Sequence, residues 1–426
     1  MPGNDVPTVN LGGTMAGRNA LLRCLIVFGI LSAASVALAQ APAGDQVARG
    51  KYLAEAGDCI ACHTVPGRTP YTGGRAFKLP FGTIYSRNIT PDPKTGIGTW
   101  SDDDFVQAMQ HGVAKGGEHL YPAFPYTSYT KLSRADDLAI KAYLFSLPAV
   151  KNSTPADSLS FPYNQRWALG LWNLLFNPNK RLVSNSAESA QWNRGAYLVE
   201  ALGHCGECHT PRRFTQSLNN SQKFSGAIAQ GWQAYNITGA KRSGIGGWTD
   251  DALVSYLSTG HASGHSSASG PMAEVISDSL HNLTQDDIRS IVVYLRSIPA
   301  IDSGPQVAPN PPAKTAAPPP PGLGEQVFAG NCANCHNWDG SGVQSPYADL
   351  AGSRTVNDPA ATNLMAVVLS GSTTQLGDQH IFMPPFGNGP SDDELAAVVN
   401  FVNGYFGNRT ANVTTGDIAA MRESLP

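Results

Sequence analysis

Three copies of one five-residue pattern, Cys-x-x-Cys-His, constrain this chain more than any other feature of its sequence. They lie at residues 59–63, 205–209 and 332–336. Two cysteines three residues apart on a helical turn can each form a thioether with one vinyl group of a haem, and the adjacent histidine then points its imidazole at the iron. The sequence therefore predicts three covalently bound haem c groups. The predicted attachment residues are Cys59, Cys62, Cys205, Cys208, Cys332 and Cys335, and the predicted iron ligands are His63, His209 and His336.

Other uses of paired cysteines fit this pattern less well. A thioredoxin-like redox pair needs a single Cys-x-x-Cys in a βαβ setting and no fixed histidine. A zinc site needs two pairs folded together, and three pairs leave one over. Disulfides between the pairs leave the three histidines unexplained. Haem attachment uses every cysteine except Cys24, so the sequence predicts neither a disulfide nor a free thiol in the exported chain.

The first 39 residues have the composition of an export signal. Two arginines are followed by an apolar stretch at 24–36 and by Ala-Leu-Ala at 37–39, a small-x-small cleavage site. The apolar stretch is short for a membrane anchor, so we expect cleavage after residue 39, with Met1 or Met15 as the true start. The chain is therefore expected to be exported across the cytoplasmic membrane. Its net charge of −3 provides no basic face for nucleic acid.

An internal repeat indicates tandem copies of one fold. Arg-Gly-x-Tyr-Leu occurs at 49–53 and again at 194–198, each time shortly before a haem motif, and Asn-Ile-Thr at 88–90 recurs at 236–238. Near the end of each unit a capping pattern precedes apolar residues at helical spacing. The three patterns are Ser133-x-x-Asp136, Thr284-x-x-Asp287 and Ser391-x-x-Glu394. An opening helix before each cysteine pair and a closing helix at the end predict an all-α fold with three tandem class I cytochrome c domains.

The motifs, the repeat and the composition divide the chain into domains and connecting segments. The predicted divisions are a signal peptide (1–39), domain 1 (43–150), a Trp-rich connector (151–190), domain 2 (191–300), a Pro-rich linker (301–322), domain 3 (323–407) and a C-terminal tail (408–426). The apolar residues 167–176 of the connector are too few to span a bilayer core of ~30 Å. They fit a membrane surface or a partner subunit, and equally an ordinary buried helix between domains.

The sixth iron ligand of a class I cytochrome c is normally a methionine sulfur, which favours the reduced iron. Met272, within Gly-Pro-Met, and Met383, in the loop 383–387, precede the closing helices of the second and third units, where that ligand belongs. Both are predicted ligands. Met365 lies in an apolar helical run and is predicted to be a core residue.

The first unit has no methionine at the corresponding place. By the spacing of the second unit, the position 24 residues after Trp100 is Phe124, and a phenyl ring cannot coordinate iron. The first haem is then five-coordinate, bound by water, or bound by a substitute such as His119, His111 or Met109. We expect the first haem to differ from the other two in spectrum and potential.

These residues resemble a known family, the three-haem cytochrome c subunit of membrane-bound periplasmic dehydrogenases. Its members serve alcohol, aldehyde, gluconate, sorbitol or fructose dehydrogenases, notably in acetic acid bacteria. The resemblance includes the three haem motifs, Asn-Gln-Arg-Trp at 164–167, the segment 172–178, Gly-Pro-Met at 270–272 and Met-Pro at 383–384. The family's first-unit loop usually reads His-Leu-Tyr-Pro-Ala-Met-Pro-Tyr, and Phe124 replaces its methionine here, while its histidine is retained.

The resemblance implies a catalytic dehydrogenase subunit as partner, with or without a small third subunit. It also implies that this chain passes electrons to ubiquinone while docked on the outer face of the cytoplasmic membrane. The isolated chain is then not an enzyme, and it carries no nucleophile triad, phosphate loop or flavin fingerprint. Two other functions stay open: a haem peroxidase-like enzyme that uses an open sixth site on the first haem, and a soluble multihaem electron shuttle.

Overall fold

The structure, a computed structural model, describes residues 43–306, 321–407 and 411–425. The predicted signal peptide and residues 307–320 of the predicted Pro-rich linker lie outside these ranges. Helices dominate the described chain. They are α1 (Ala43–Ala56), α2 (Cys59–His63), α3 (Asp102–His111), α4 (Tyr126–Tyr129), α5 (Arg134–Ser146), α6 (Ala168–Phe176), α7 (Ala190–Tyr197), α8 (Gly206–His209), α9 (Asp250–Thr259), α10 (Pro271–Asp278), α11 (Gln285–Arg296), α12 (Leu323–Asn331), α13 (Ala333–His336), α14 (Arg354–Asn357), α15 (Thr362–Ser370), α16 (Asp392–Tyr405) and α17 (Thr415–Ser424).

The described helices include three pairs that pack across one another: α1 packs on α5, α7 on α11, and α12 on α16. The first helix of each pair carries a glycine at the crossing, where a Cβ atom would overlap a carbonyl oxygen of the partner helix. The crossings set Gly50 against Ala139, Gly195 against Ser290 and Gly324 against Ala397. The glycine of the Arg-Gly-x-Tyr-Leu repeat therefore serves close helix packing rather than backbone freedom.

The second helix of each pair begins where its capping pattern predicts. The N-cap side chain accepts a hydrogen bond from the backbone N–H three residues later, which satisfies one of the unpaired donors at a helix start. These bonds join Ser133 to Asp136 N at 3.1 Å, Thr284 to Asp287 N at 3.2 Å and Ser391 to Glu394 N at 3.3 Å. All three predicted helix starts are confirmed.

Small antiparallel sheets interrupt the helical plan, so the prediction of an all-α fold is wrong in this respect. The strands are β1 (Ala76–Leu79), β2 (Gly82–Tyr85), β3 (Ser158–Leu159), β4 (Ala227–Ala229), β5 (Trp232–Ala234), β6 (His261–Ala262), β7 (Ser266–Ser267), β8 (Ser372–Leu376) and β9 (Gln379–Met383). They pair as β1-β2-β3, β4-β5, β6-β7 and β8-β9. Gln230 (φ 51°) and Gly231 (φ 80°) form the two-residue loop between β4 and β5, and this left-handed backbone is the geometry that so short a hairpin favours.

Two hydrophobic cores hold the described chain together. The first is continuous across the first two helix pairs and contains, for example, Leu53 and Leu198. The second surrounds α15, α16 and α17 and contains Met365, as the sequence predicts. Helix α17 lies in the segment read from the sequence as a tail, and its Ile418 is fully buried in this second core.

The Trp-rich connector forms the helix α6, in which no residue is buried. Trp167, Leu171, Leu174 and Leu175 lie on one side of it, and their exposed fractions range from 60% to 79%. We call these four side chains the apolar face of α6. Within the described ranges, the longest apolar helices remain too short to cross a membrane.

Candidate haem-binding sites

Each cysteine pair lies at a short helix that follows a turn at the end of a longer one. Helix α2 carries both cysteines of the first pair, whereas α8 and α13 carry only Cys208 and Cys335, and Cys205 and Cys332 are their N-cap residues. The residue before the first cysteine is left-handed in two cases, Asp58 at φ 52° and His204 at φ 36°. At the first site the short helix α2 packs back on α1. None of these six motif cysteines is in a disulfide, and burial raises the pKa of Cys59 and Cys205 to about 12.

The three motif histidines share one arrangement of their rings. In each, Nδ1 lies within hydrogen-bond distance of a backbone carbonyl oxygen further along the chain, which fixes the ring and leaves Nε2 free. The distances are 2.7 Å from His63 to Arg87 O, 2.6 Å from His209 to Tyr235 O and 2.7 Å from His336 to Ala348 O. Burial lowers the pKa of all three imidazoles, so they are held neutral, which is the form that binds a metal.

These groups fit covalent haem. Two cysteines three residues apart lie on the same side of a helical turn, next to the histidine. The Nδ1 atom of that histidine is already hydrogen-bonded to a backbone carbonyl oxygen. In the described part of the chain, no three His, Cys, Asp or Glu side chains converge as a metal-binding cluster. Two thiols and one imidazole match what an iron porphyrin needs for attachment: two thioether bonds and one axial nitrogen.

The two predicted methionine ligands occupy different local structures. Met272 is the second residue of α10, and Gly270 is its N-cap residue. Because Gly270 has no Cβ, the chain can pass close to the Trp232 ring there, with a positive φ of 54°. Met383 is the last residue of β9, so the predicted loop begins one residue later, at Pro384. Both sulfur-bearing side chains are half-buried. Their ligation stays a prediction.

The first site has Phe124 where the second has Met272. Phe124 is half-buried, and its ring centroid lies 5.4 Å from that of Tyr129. Of the proposed substitutes, Met109 is buried in the core, and His119 turns toward α6, where its Nδ1 lies 3.3 Å from Asn173 Nδ2. His111 is the last residue of α3, and burial lowers its pKa. The structure therefore gives each of these side chains another environment, and the sixth ligand of the first site stays open.

The first two sites are packed into one another. Helix α10, which contains Met272, contacts α2 of the first motif, and Glu274 of α10 forms a bidentate pair with Arg75 at 2.8 and 3.0 Å. The same arginine donates to Ala61 O, inside the first motif, at 2.7 Å. In the opposite direction, Thr127 after Phe124 donates to Glu207 of the second motif at 3.0 Å. The segment around Met272 thus contacts the first cysteine motif, and the segment around Phe124 contacts the second.

A second reciprocal contact uses the repeat itself. Arg49 pairs with Asp136 within the first helix pair, and Tyr197 of the second pair donates to that aspartate at 2.5 Å. The same arrangement occurs a second time, with the two helix pairs exchanged. Arg194 pairs with Asp287 within the second helix pair, and Tyr52 of the first pair donates to it at 2.5 Å. Sequence reasoning found the repeat but missed this use of it. The matching Arg-Gly-x-Tyr-Leu segments were the available signal.

Comparison with known proteins agrees with this geometry. The family model described as "Cytochrome c" matches residues 47–148 and 322–405. The gluconate 2-dehydrogenase cytochrome c subunit of Pantoea cypripedii is 40% identical, over 93% of this chain and 94% of its own. The fructose dehydrogenase cytochrome subunit of Gluconobacter japonicus is 38% identical, over 88% and 82% respectively. The cytochrome c subunit of the alcohol dehydrogenase (quinone) of Gluconobacter oxydans is 37% identical, over 92% and 86%.

The fold, the motifs and the family model together define a protein with cytochrome c domains. The chain belongs to the family of cytochrome c subunits of the gluconate, alcohol and fructose dehydrogenases, which confirms the predicted resemblance. These relatives are electron-transfer subunits rather than the catalytic subunits of their complexes, and this confirms that the isolated chain is not itself the dehydrogenase.

Proposed function

We propose that this protein is an electron-transfer subunit with three covalently bound haem c groups, one at each Cys-x-x-Cys-His motif. When bound, haem c supplies the one-electron chemistry of its iron. The observation that carries the proposal is the repeated placement of an imidazole with its Nδ1 on a carbonyl oxygen beside two free thiols. The chain's own contribution is to fix these rings, with Met272 and Met383 as sixth ligands of the second and third sites.

The number of haems is tested on denatured protein. Acid–acetone extraction removes non-covalent haem, so the porphyrin that remains per chain counts the attached groups. We expect three in the wild type and two in each variant that loses one pair, such as Cys205→Ala/Cys208→Ala. A wild-type value below three contradicts the proposal.

The partner that best fits is the catalytic subunit of a dehydrogenase, with ubiquinone in the cytoplasmic membrane as the electron acceptor. The names of the relatives support both parts, since they include dehydrogenases of three substrates and one described as a quinone enzyme. Purification from the native membrane with identification of the co-eluting subunits tests the partner. A monomeric chain in mild detergent extracts contradicts it and favours the soluble shuttle.

We propose that the apolar face of α6 rests on the membrane surface. Four large apolar side chains on one side of a short helix, with an exposed Lys180 just beyond its end, match an interfacial helix on anionic lipid. The opposite side of α6 is anchored to the protein, because Trp172 Nε1 donates to Thr215 O at 2.8 Å and Tyr126 OH donates to Asn173 at 2.6 Å. The helix is thus held with its apolar face outward.

Vesicles of phosphatidylglycerol and phosphatidylethanolamine test this membrane contact. Each leucine side chain contributes about 1.5–3 kcal/mol when buried in an apolar phase. Leu174→Ser/Leu175→Ser should therefore weaken vesicle binding at least tenfold. Ile228→Ser removes an exposed apolar side chain on β4, whose partner strand packs on α15, and should leave binding unchanged. Equal binding by all three proteins contradicts the proposal.

A peroxidase-like activity is the second candidate, and Phe124 is the observation that favours it. A phenyl ring at the ligand position leaves no donor atom for the iron of the first site. Phe124→Met should add a third methionine-to-iron charge-transfer absorbance and abolish any peroxide turnover. Wild-type protein that already shows this absorbance from three haems, or that turns over no peroxide, rejects the second candidate.

A further inference from the structure

Arg354 follows the third motif in the chain, yet its side chain lies against the second site. Its Cζ atom is 4.4 Å from the centroid of the Tyr235 ring, and Nη2 donates to Ser243 O. Its own backbone N–H donates to His265 O at 2.7 Å, which fixes the start of α14 on this part of the chain. The segment after the third motif therefore contributes a cation to the surroundings of the second motif.

The charge of this arginine is poorly compensated. Arg354 is only 6% exposed, and its Nε–H has no hydrogen-bond partner among the described residues. Its nearby acid, Asp358, is engaged elsewhere: one oxygen accepts from Tyr235 OH at 3.0 Å and the other from Ala360 N at 2.9 Å. Burial also raises the pKa of Asp358, which weakens it as a counter-charge. A buried cation in such surroundings acts over a longer range than one in water.

Tyr235 lies between this cation and His209, the histidine of the second motif. The ring of Tyr235 lies beside the guanidinium, and the carbonyl oxygen of the same residue accepts from Nδ1 of His209 at 2.6 Å. Arg354 and His209 therefore contact the same residue, the guanidinium at its ring and the imidazole at its carbonyl oxygen.

Among the described residues, the cation at the corresponding position of the first site is paired with acids. There the residue whose carbonyl accepts from His63 is Arg87. Its guanidinium lies 3.0 Å from Asp157, which Arg166 also contacts at 2.6 Å, and Arg166 pairs in addition with Glu118 at 2.9 Å. The two sites share one backbone arrangement, yet they differ in the charge placed beside it.

We propose that Arg354 raises the reduction potential of the haem at the second motif. The physical reason is that oxidised iron carries one more positive charge than reduced iron, so a nearby fixed cation destabilises the oxidised form. Arg354 is thus a positioning residue that acts across a segment boundary, and the second site is complete only when the third segment is docked. The inference rests on the proposed function, because it requires a haem at the second motif.

The test is a spectroelectrochemical titration of the full chain and of three variants. Arg354→Gln removes the charge and should move one of the three potentials downward by at least a tenfold change in its redox equilibrium, about 59 mV for one electron. Arg354→Lys keeps the charge and should retain most of that potential. Asp358→Asn removes the nearby acid and should move the same potential upward. In the Cys205→Ala/Cys208→Ala background, Arg354→Gln should leave the remaining two potentials unchanged.

Three results would overturn the inference. They are unchanged potentials in Arg354→Gln, equal shifts in the Gln and Lys variants, or a shift that persists after the second pair is removed. A role confined to packing predicts equal loss of thermal stability in both Arg354 variants with no change in potential. Covalent haem is counted first on the same samples, so a value below three identifies failure of the proposed function rather than of Arg354.

Discussion

Glu200 offers a quantitative test of the packing between the first two helix pairs. It lies in the π-helical turn Leu198–Leu202 that extends α7, and only 8% of it is exposed. Its carboxylate accepts from Lys131 Nζ at 2.9 Å, from Lys223 Nζ, and from Tyr294 OH at 2.6 Å. Because Lys131 precedes α5, the ion pair links the two helix pairs. We therefore predict that Glu200→Gln destabilises the whole assembly.

The size of the effect follows from the pKa of this carboxyl. Burial alone raises the pKa of Glu200, but the charges of Lys131 and Lys223 outweigh it and lower the pKa from 4.5 to about 2. At 1.36 kcal/mol for each unit, the ionised form contributes about 3 kcal/mol to the free energy of unfolding at neutral pH. Because the folded pKa is the lower one, this contribution is complete above about pH 5 and disappears as the pH falls toward 2.

Urea unfolding followed by far-UV circular dichroism measures this contribution. At pH 7, Glu200→Gln should lose about 3 kcal/mol, and the difference from wild type should shrink as the pH is lowered from 5 to 3. Glu188→Gln changes an exposed glutamate of the connector and serves as the control, with no expected effect at either pH. A wild-type stability for Glu200→Gln at pH 7, or a loss that does not depend on pH, would refute the electrostatic reasoning.

Two further predictions concern the helix crossings and the repeat. Gly50→Ala should lower the free energy of unfolding by more than about 2 kcal/mol, because its methyl group overlaps Ala139 O, whereas Gly44→Ala in the same helix has open space and should be neutral or stabilising by up to about 1 kcal/mol. Tyr52→Phe and Tyr197→Phe should each cost about 1–2 kcal/mol through a lost hydrogen bond to a carboxylate, measured by urea unfolding. If these two hydrogen bonds depend on each other, a double-mutant cycle of the two variants gives a non-zero coupling energy. Strictly additive losses would show that they are independent.

The helical part of the fold could be predicted because its signals are local. A hydroxyl at the N-cap and apolar residues at helical spacing act within a few residues, and all three closing helices begin where these signals lie. The hairpins could not be predicted in the same way. Their strands are only two to five residues long, as in β6 (His261–Ala262) and β8 (Ser372–Leu376), and such segments carry too little alternation to be recognised.

The residues of the candidate haem sites likewise fall into those set by local sequence and those brought together by the fold. Cys-x-x-Cys-His is a contiguous pattern, so the thiols and imidazoles can be identified without a structure. The groups that surround them are remote in sequence. Arg75 meets Glu274 across 199 positions, and Arg354 meets Ser243 across 111 positions, so neither pair leaves a periodic trace. A lone arginine in a sequence reads as a solvated surface residue, and only tertiary packing shows that Arg354 is buried.

The reciprocal packing of the first two sites also explains why the sequence repeats more closely there than in the third unit. Each Arg-Gly-x-Tyr-Leu copy has two duties, since its glycine admits the closing helix of its own pair and its tyrosine reaches the aspartate of the other pair. A change in one copy therefore affects both helix pairs. In the third helix pair, Gly324 allows the same close packing of its closing helix, and no tyrosine stands two residues after it. The first two motifs thus form one structural unit, to which the third segment is joined by contacts of a different kind, such as that of Arg354 with Tyr235.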